Sequence, residues 1–256
     1  MTSSSSPQAR TQKIRAIFLD LHHTITKTRT DILTMTRKTS KNAGVDLAQF
    51  SDDEVRAAFN SSNDHIKQHV SENDVDIHWG NNPNDWLEIN REFFRHLGFN
   101  DVSDEQIMQF ELGWRETGED SFELIQTGVK ETLEELHARG YILGICTRRQ
   151  TDPQSLLKEW DIHHLLSSIQ YSGTPGYAKP SPFTLLKAAE EIGVNPRLCA
   201  YVGNLVDADV EASLRAEMLP ILTIWANPEE KAKASDDTII INEIHELLEI
   251  FKRPAN

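Results

Sequence analysis

Four short apolar runs punctuate the chain: AIFLDL at 16–21, YILGICT at 141–147, CAYVGN at 199–204 and LPILTIW at 219–225. They are near-continuously apolar and rich in β-branched and aromatic residues, the pattern of strands covered on both faces in a parallel sheet. A further run, DTIIIN at 237–242, predicts an edge strand. Between the runs the period changes to that of amphipathic helices, in GVKETLEELHARG (128–140), PFTLLKAAEEIG (182–193) and DADVEASLRAEM (207–218). The first two stop at Gly140 and Gly193, where a left-handed residue ends a helix at little cost. Alternation of this kind predicts an α/β fold, a Rossmann-like doubly wound parallel sheet.

One interval interrupts the alternation. Residues 30–125 carry no strand pattern and read as helices: DILTMTRKTSKNAG, SDDEVRAAFNSSNDHIKQHV, NDWLEINREFFRHLG and SDEQIMQFELGWRE. Ser51 with Glu54, and Ser103 with Gln106, have the spacing of capping boxes and mark two helix starts. The expected organisation is a disordered tail over 1–12, a core domain of 13–29 and 126–256, and an inserted all-helical module over 30–125.

Composition narrows the class. A chain of 256 residues is long enough for a core domain with an insertion. The net charge of −14 excludes broad nucleic-acid or anionic-membrane binding, which needs a basic surface. No apolar run reaches the roughly 18 residues of a membrane span, and MTSSSSPQAR lacks the apolar centre of a secretory leader, so a cytoplasmic protein is expected. Cys146 and Cys199 lie inside apolar runs and read as buried, reduced thiols.

Ligands of open parallel sheets bind beyond the carboxyl ends of the strands. Those ends carry Asp20-Leu21-His22-His23-Thr24, then Thr147-Arg148-Arg149, then Gly203-Asn204 followed by Asp207 and Asp209, with Lys179 ahead of Pro180 in YAKPSP. A nucleophile-grade carboxylate, a hydroxyl, a cation and further acid are thus expected on one edge of one sheet.

In this order the segments resemble the four signatures of the haloacid dehalogenase-like superfamily. DLHHT stands for D-x-D-x-T, YILGICT for the strand ending in Ser or Thr, AKPSP for the Lys before Pro, and VGNLVDAD for Gly-Asp with a second Asp beyond. The resemblance covers roughly residues 13–250 and makes the helical interval similar to that superfamily's cap. It implies that Asp20 is the nucleophile that forms an aspartyl ester, and that Thr147 bonds the transferring group. Lys179 would offset charge, Thr24 would steady the first loop, and Asp20, His22, Asn204 and Asp209 would surround a magnesium ion. His23, Thr24 and Arg148 are the expected substrate contacts, and a small molecule is the expected partner.

Two positions depart from the pattern. His22 stands where most phosphatases of the superfamily have the aspartic acid that protonates the leaving group, and Asn204 where they have a magnesium-binding aspartate. Both changes remove negative charge, so weaker metal binding is expected. His22 has three readings: a replacement proton-transfer residue, a ligand for a substrate anion, or the mark of a site that has lost hydrolysis. His23 falls where the family often has Gly. Phosphate-ester hydrolysis on a small phosphorylated metabolite is the leading expectation. Its rivals are dehalogenase-type, metal-independent hydrolysis at carbon, and a catalytically degenerate binding or regulatory protein. His65 and His69, one helical turn apart, read as a solvated face, and Trp79, Trp86 and Trp114 as packing residues.

Overall fold

The computed structural model describes residues 7–28, 32–73, 75–117, 123–174 and 176–252, which divide into two compact units. One consists of residues 1–27 and 124–256, the other of residues 28–123.

In the first unit a short helix α1 (Pro7–Thr11) precedes strand β1 (Ala16–Leu19). The composition had predicted a disordered tail here; Arg10 instead bonds the Glu217 carbonyl at 3.1 Å, while residues 1–6 lie outside the described residues. Strand β2 (Thr26–Thr28) pairs with β3 (Glu123–Ile125) in a separate two-stranded sheet. The interval expected to be wholly helical therefore ends in a strand, whose three residues are too few to print a period.

The described residues of the second unit include the helices α2 (Ile32–Asn42), α3 (Asp52–Glu72), α4 (Leu87–His96) and α5 (Asp104–Thr117). Both capping boxes form. Ser51 Oγ accepts the Glu54 amide at 3.3 Å while Glu54 returns a bond to the Ser51 amide at 2.7 Å, and Ser103 and Gln106 repeat the exchange. Leu33, Leu47, Val55, Phe93, Phe94, Ile107 and Phe110 close this unit's own core.

After β3 the first unit continues through α6 (Val129–Ala138), β4 (Ile142–Thr147), α7 (Gln154–Glu159), β5 (Leu166–Tyr171), α8 (Phe183–Glu191), β6 (Cys199–Gly203), α9 (Glu211–Arg215), β7 (Leu219–Thr223), β8 (Ile239–Ile241) and α10 (Leu247–Ile250). Six of the strands form one parallel sheet in the order β5-β4-β1-β6-β7-β8. Within β1, Ile17 and Leu19 enter one core cluster and Ala16 and Phe18 the other. Both faces are thus covered, which is why the strand is apolar at every position. Strand β5 was not foreseen. Its sequence LSSIQY is half polar because it occupies a sheet edge, where Ser168 bonds Glu191 at 2.5 Å.

Strand β1 sits between β4 and β6, where the strand order turns back. In open sheets that reversal leaves a crevice at the carboxyl end, and Asp20 follows β1 directly. No helix among the described residues is long and apolar enough to cross a membrane.

Candidate active site

Asp20 still belongs to the ladder: its amide bonds the Val202 carbonyl at 2.9 Å. The chain then folds tightly around the Leu21 carbonyl, which accepts the amides of Thr24, Ile25 and Thr26 at 3.1, 3.0 and 3.0 Å and the Thr26 hydroxyl at 2.9 Å. His23 takes a left-handed conformation in this turn, with φ 55°. The Thr24 hydroxyl reaches the Asn204 side-chain oxygen at 3.3 Å and so joins the first loop to the fourth.

Lys179 is delivered by the turn after β5, in which the Ala178 amide bonds the Thr174 carbonyl at 2.8 Å. Its ammonium has three N–H groups and meets three acceptors: Asp20 Oδ1 at 2.8 Å, Asp209 Oδ1 at 2.5 Å and the Tyr201 hydroxyl at 2.6 Å. Asp20, Lys179 and Asp209 are exposed by only 6, 3 and 2%. At such burial an unpaired charge would be very costly, so each group depends on the others. Burial by itself would discharge Lys179, but Asp20 and Asp209 outweigh it and hold the ammonium above the ordinary lysine range. Burial pushes the Asp20 carboxyl above the usual aspartate range; Lys179 opposes that rise and Asp209 adds to it.

Asp209 closes the constellation from the fourth loop. Its Oδ2 accepts the amides of Asn204 and Leu205 at 3.0 and 2.9 Å. Sequence periodicity predicted a helix from 207; the chain instead makes one wide, π-type turn over Val206–Val210 before α9, and that turn aims Asp209 back at the strand. Gly203 makes the approach possible, since a Cβ there would stand 2.3 Å from Asp209 Cγ. Asp207 goes the other way: its side chain is 85% exposed and lies 3.7 Å from Lys233.

Thr147 ends β4, on the strand next to β1, and is buried. Of the two arginines that follow, Arg148 is exposed and Arg149 buried, so the arginine assigned to substrate from sequence is the one turned to solvent. His22 is exposed and stacks on His23 at 4.1 Å.

Two groups that hold the site escaped the sequence reading. Tyr201 is fully buried in β6; besides accepting from Lys179 it donates to the Cys146 carbonyl at 2.7 Å, and its ring lies 5.2 Å from the ammonium. The signal was a hydroxylated aromatic in an otherwise aliphatic strand, two residues before Gly203 and therefore on the same face. Glu230, also buried, accepts the Val206 amide at 2.7 Å and the Lys233 ammonium at 2.6 Å, which anchors the fourth loop from behind. It lies in a 3₁₀ segment (Pro228–Lys233) whose sequence reads as solvated surface.

Of the residues expected around a magnesium ion, Asp209 has both oxygens engaged, one by two amides and one by Lys179, so this carboxylate orients the lysine. The Asn204 oxygen already accepts from Thr24. Among the described residues no three His, Cys, Asp or Glu side chains gather as a metal-binding group. A magnesium ion is ordinarily held by one or two carboxylates together with water and substrate oxygens. Asp20 supplies such a carboxylate here, and the Asn204 side-chain oxygen is the neutral donor that stands in the fourth loop. The histidine pair on α3 likewise forms no such group; His69 stacks on Trp79 at 5.4 Å. Trp114 packs edge-on against Phe59 and Phe110, as a core residue would. Both thiols are buried and free, and burial pushes Cys199 up to about 12.

Comparison with known proteins agrees with this topology. A family model described as haloacid dehalogenase-like hydrolase matches residues 17–222. A glyceraldehyde 3-phosphate phosphatase of Methanopyrus kandleri is 29% identical over 133 residues, covering 48% of this chain and 55% of that protein. A phosphoglycolate phosphatase of Aquifex aeolicus is 29% identical over 109 residues, covering 42% and 51%. The chain thus spans about half the length of these curated relatives. Among solved structures, one described as a predicted phosphoglycolate phosphatase from Haemophilus somnus superposes with a TM-score of 0.67 at 20% identity, covering 93% of this chain and 97% of that one. A 2-haloacid dehalogenase from Pseudomonas syringae gives 0.62 at 18% identity, covering 93% and 98%. Likeness at these identities speaks for the fold.

Proposed function

The chain belongs to the haloacid dehalogenase-like hydrolase family, and on that premise we propose that it hydrolyses the phosphate ester of a small phosphorylated metabolite through an aspartyl-phosphate on Asp20. The observation that carries the reading is the three-way hold on Lys179, which keeps a permanent cation against the attacking carboxylate in a buried site.

The steps follow from that geometry. An oxygen of Asp20 attacks phosphorus, the P–O bond to the alcohol breaks, and the departing oxygen takes a proton from His22. Thr147 donates to a phosphoryl oxygen as negative charge redistributes over the group. Water then attacks phosphorus and gives a proton to His22, the P–O bond to Asp20 breaks, and inorganic phosphate leaves with the Asp20 carboxylate restored. Splitting one hard substitution into two lowers the barrier of each. Lys179 has no spare N–H, so its part is to fix and balance Asp20. The helical unit, inserted after β1, is the candidate cap that selects the substrate. The two phosphatase relatives act, by their names, on small phosphorylated three- and two-carbon compounds, which supports the same class here.

A second reading is displacement at carbon, in which Asp20 attacks carbon and halide departs unprotonated. It is favoured by the donor set, where the Asp209 carboxylate is committed to Lys179 and two acids are replaced by His22 and Asn204. The test is a panel of phosphorylated metabolites and 2-haloacids, each assayed with magnesium and with chelator. Phosphate release that is lost in Asp20→Asn is the expected result. Halide release in chelator would replace it with the second reading, and silence on both would leave a binding protein.

A further inference from the structure

His23 is a β-carbon residue held at φ 55°, a conformation that glycine adopts freely and other residues resist. The surroundings enforce it. On one side the Leu21 carbonyl gathers three amides. On the other, the Thr24 carbonyl accepts the Gln126 amide group at 3.0 Å and the Trp225 indole N–H at 3.1 Å. Strained residues kept in place by such over-determined surroundings concentrate at working sites.

The strain has a geometric product. Along an extended strand successive side chains point to opposite faces. The left-handed turn cancels that alternation and lays the rings of His22 and His23 face to face, with centroids 4.1 Å apart and 25° between planes. His23 also meets Trp225 in an edge-to-face arrangement, with centroids 6.0 Å apart and 81° between planes. His23 thus touches both other rings: Trp225, whose indole N–H bonds the Thr24 carbonyl of the loop, and His22, which is exposed. A glycine at position 23 would relieve the turn and remove the shared ring.

We propose that His23 is a positioning residue, backed by Trp225, that holds the His22 imidazole at the angle at which it protonates the leaving oxygen. This rests on the reading of His22 as the acid. Stability is exchanged here for a fixed ring, and a residue of merely structural importance would not show the opposing effects that follow.

The experiment compares wild type, His22→Ala, His23→Gly, His23→Ala and Trp225→Phe. It uses 2-phosphoglycolate as the ester with a poor leaving group and p-nitrophenyl phosphate as the activated one. In wild type, stacking should shift the His22 ring protons upfield in the NMR spectrum, and both His23 variants should release that shift. His22→Ala should lower the ratio of kcat/KM for the poor over the activated ester by about 100-fold. Both His23 variants should lower the ratio by about tenfold, as expected when a catalytic group loses its orientation. His23→Gly should at the same time raise Tm by about 2–4 °C, because glycine accepts the turn, whereas His23→Ala should not. Trp225→Phe, which keeps a ring but not the N–H, should fall between wild type and His23→Ala. If His22→Ala lowers the ratio and neither His23 variant does, the acid stands and the positioning role is overturned alone. An unchanged ratio in His22→Ala overturns the reading of His22 as the acid and this one with it. His22 ring shifts that do not respond to His23 substitution overturn the stack.

Discussion

On α3 of the helical unit, Lys67 meets Asp64 at 2.7 Å with both side chains about three-quarters exposed, at 74 and 75%. At the carboxyl edge of the sheet, Lys179 meets Asp20 at 2.8 Å with side chains 2 and 9% exposed. The distances are alike and the physics is not. Water screens the first pair and its partners lose rotamer freedom to meet, so it contributes about 0–1 kcal/mol. The second has given up hydration that only its partners replace, so removing the shared cation strands both acids. A charge pair therefore reports on function through its burial and its further partners rather than through its length.

The sharpest way to break the comparison is Lys179→Met, which leaves Asp20 and Asp209 buried without their cation. Loss of all measurable turnover and destabilisation by about 3–5 kcal/mol are expected, read by urea unfolding. Partial recovery of stability, without activity, in Lys179→Met/Asp209→Asn would show that the cost lies in the stranded acids. Asp20→Asn separates chemistry from stability: turnover should fall at least about 1000-fold because the attacking charge is gone. Lys179 keeps Asp209, so Tm should move by only a few degrees. A variant with full activity on a confirmed substrate would end the case for covalent catalysis.

Adding charge probes the same site from the opposite side. The pair His22→Asp/Asn204→Asp restores two acids, and magnesium should bind at least about tenfold more tightly, since affinity follows the number of charged ligands. Calorimetric titration checks this independently of turnover.

Glu230 is intermediate between the two kinds of pair. Burial raises its carboxyl, but Lys233 and the Val206 amide outweigh that and hold it below the usual glutamate range. The stability it adds is present above the unfolded value of about 4.3 and is lost as pH falls through the lower folded value. Thermal unfolding of wild type should thus converge on that of Glu230→Gln at acid pH, with about 1–2 kcal/mol between them at pH 7. Equal stability at both pH values would show that the carboxylate does not anchor the loop. At the small end, Lys67→Ala should change stability by less than about 0.5 kcal/mol, and a larger effect would undo the contrast drawn from exposure.

Much of this molecule is written locally. The five foreseen strands, the helices of both units and the two capping boxes each depend on residues a few positions apart, where hydrophobic period and side-chain oxygens act directly on the backbone. The arrival of Asp20 and Thr147 at the ends of neighbouring strands was also legible, because a parallel sheet sends all its strand ends to one edge. Three features were not. Strand β5 looks polar because a sheet edge asks for less burial. Tyr201 and Glu230 act on partners that are remote in sequence, Lys179 and Val206. The pairing of Asp209 with the lysine depends on a wide turn that no period announces, on a glycine at which a Cβ would stand 2.3 Å from the Asp209 side chain, and on two amides it meets only after the turn has formed. The sequence determined which groups arrive at the sheet edge, since arrival is a matter of local period and strand order. Only the tertiary structure decided which of them hold one another there, since a buried charge selects its partners by the distances that the finished fold leaves between them.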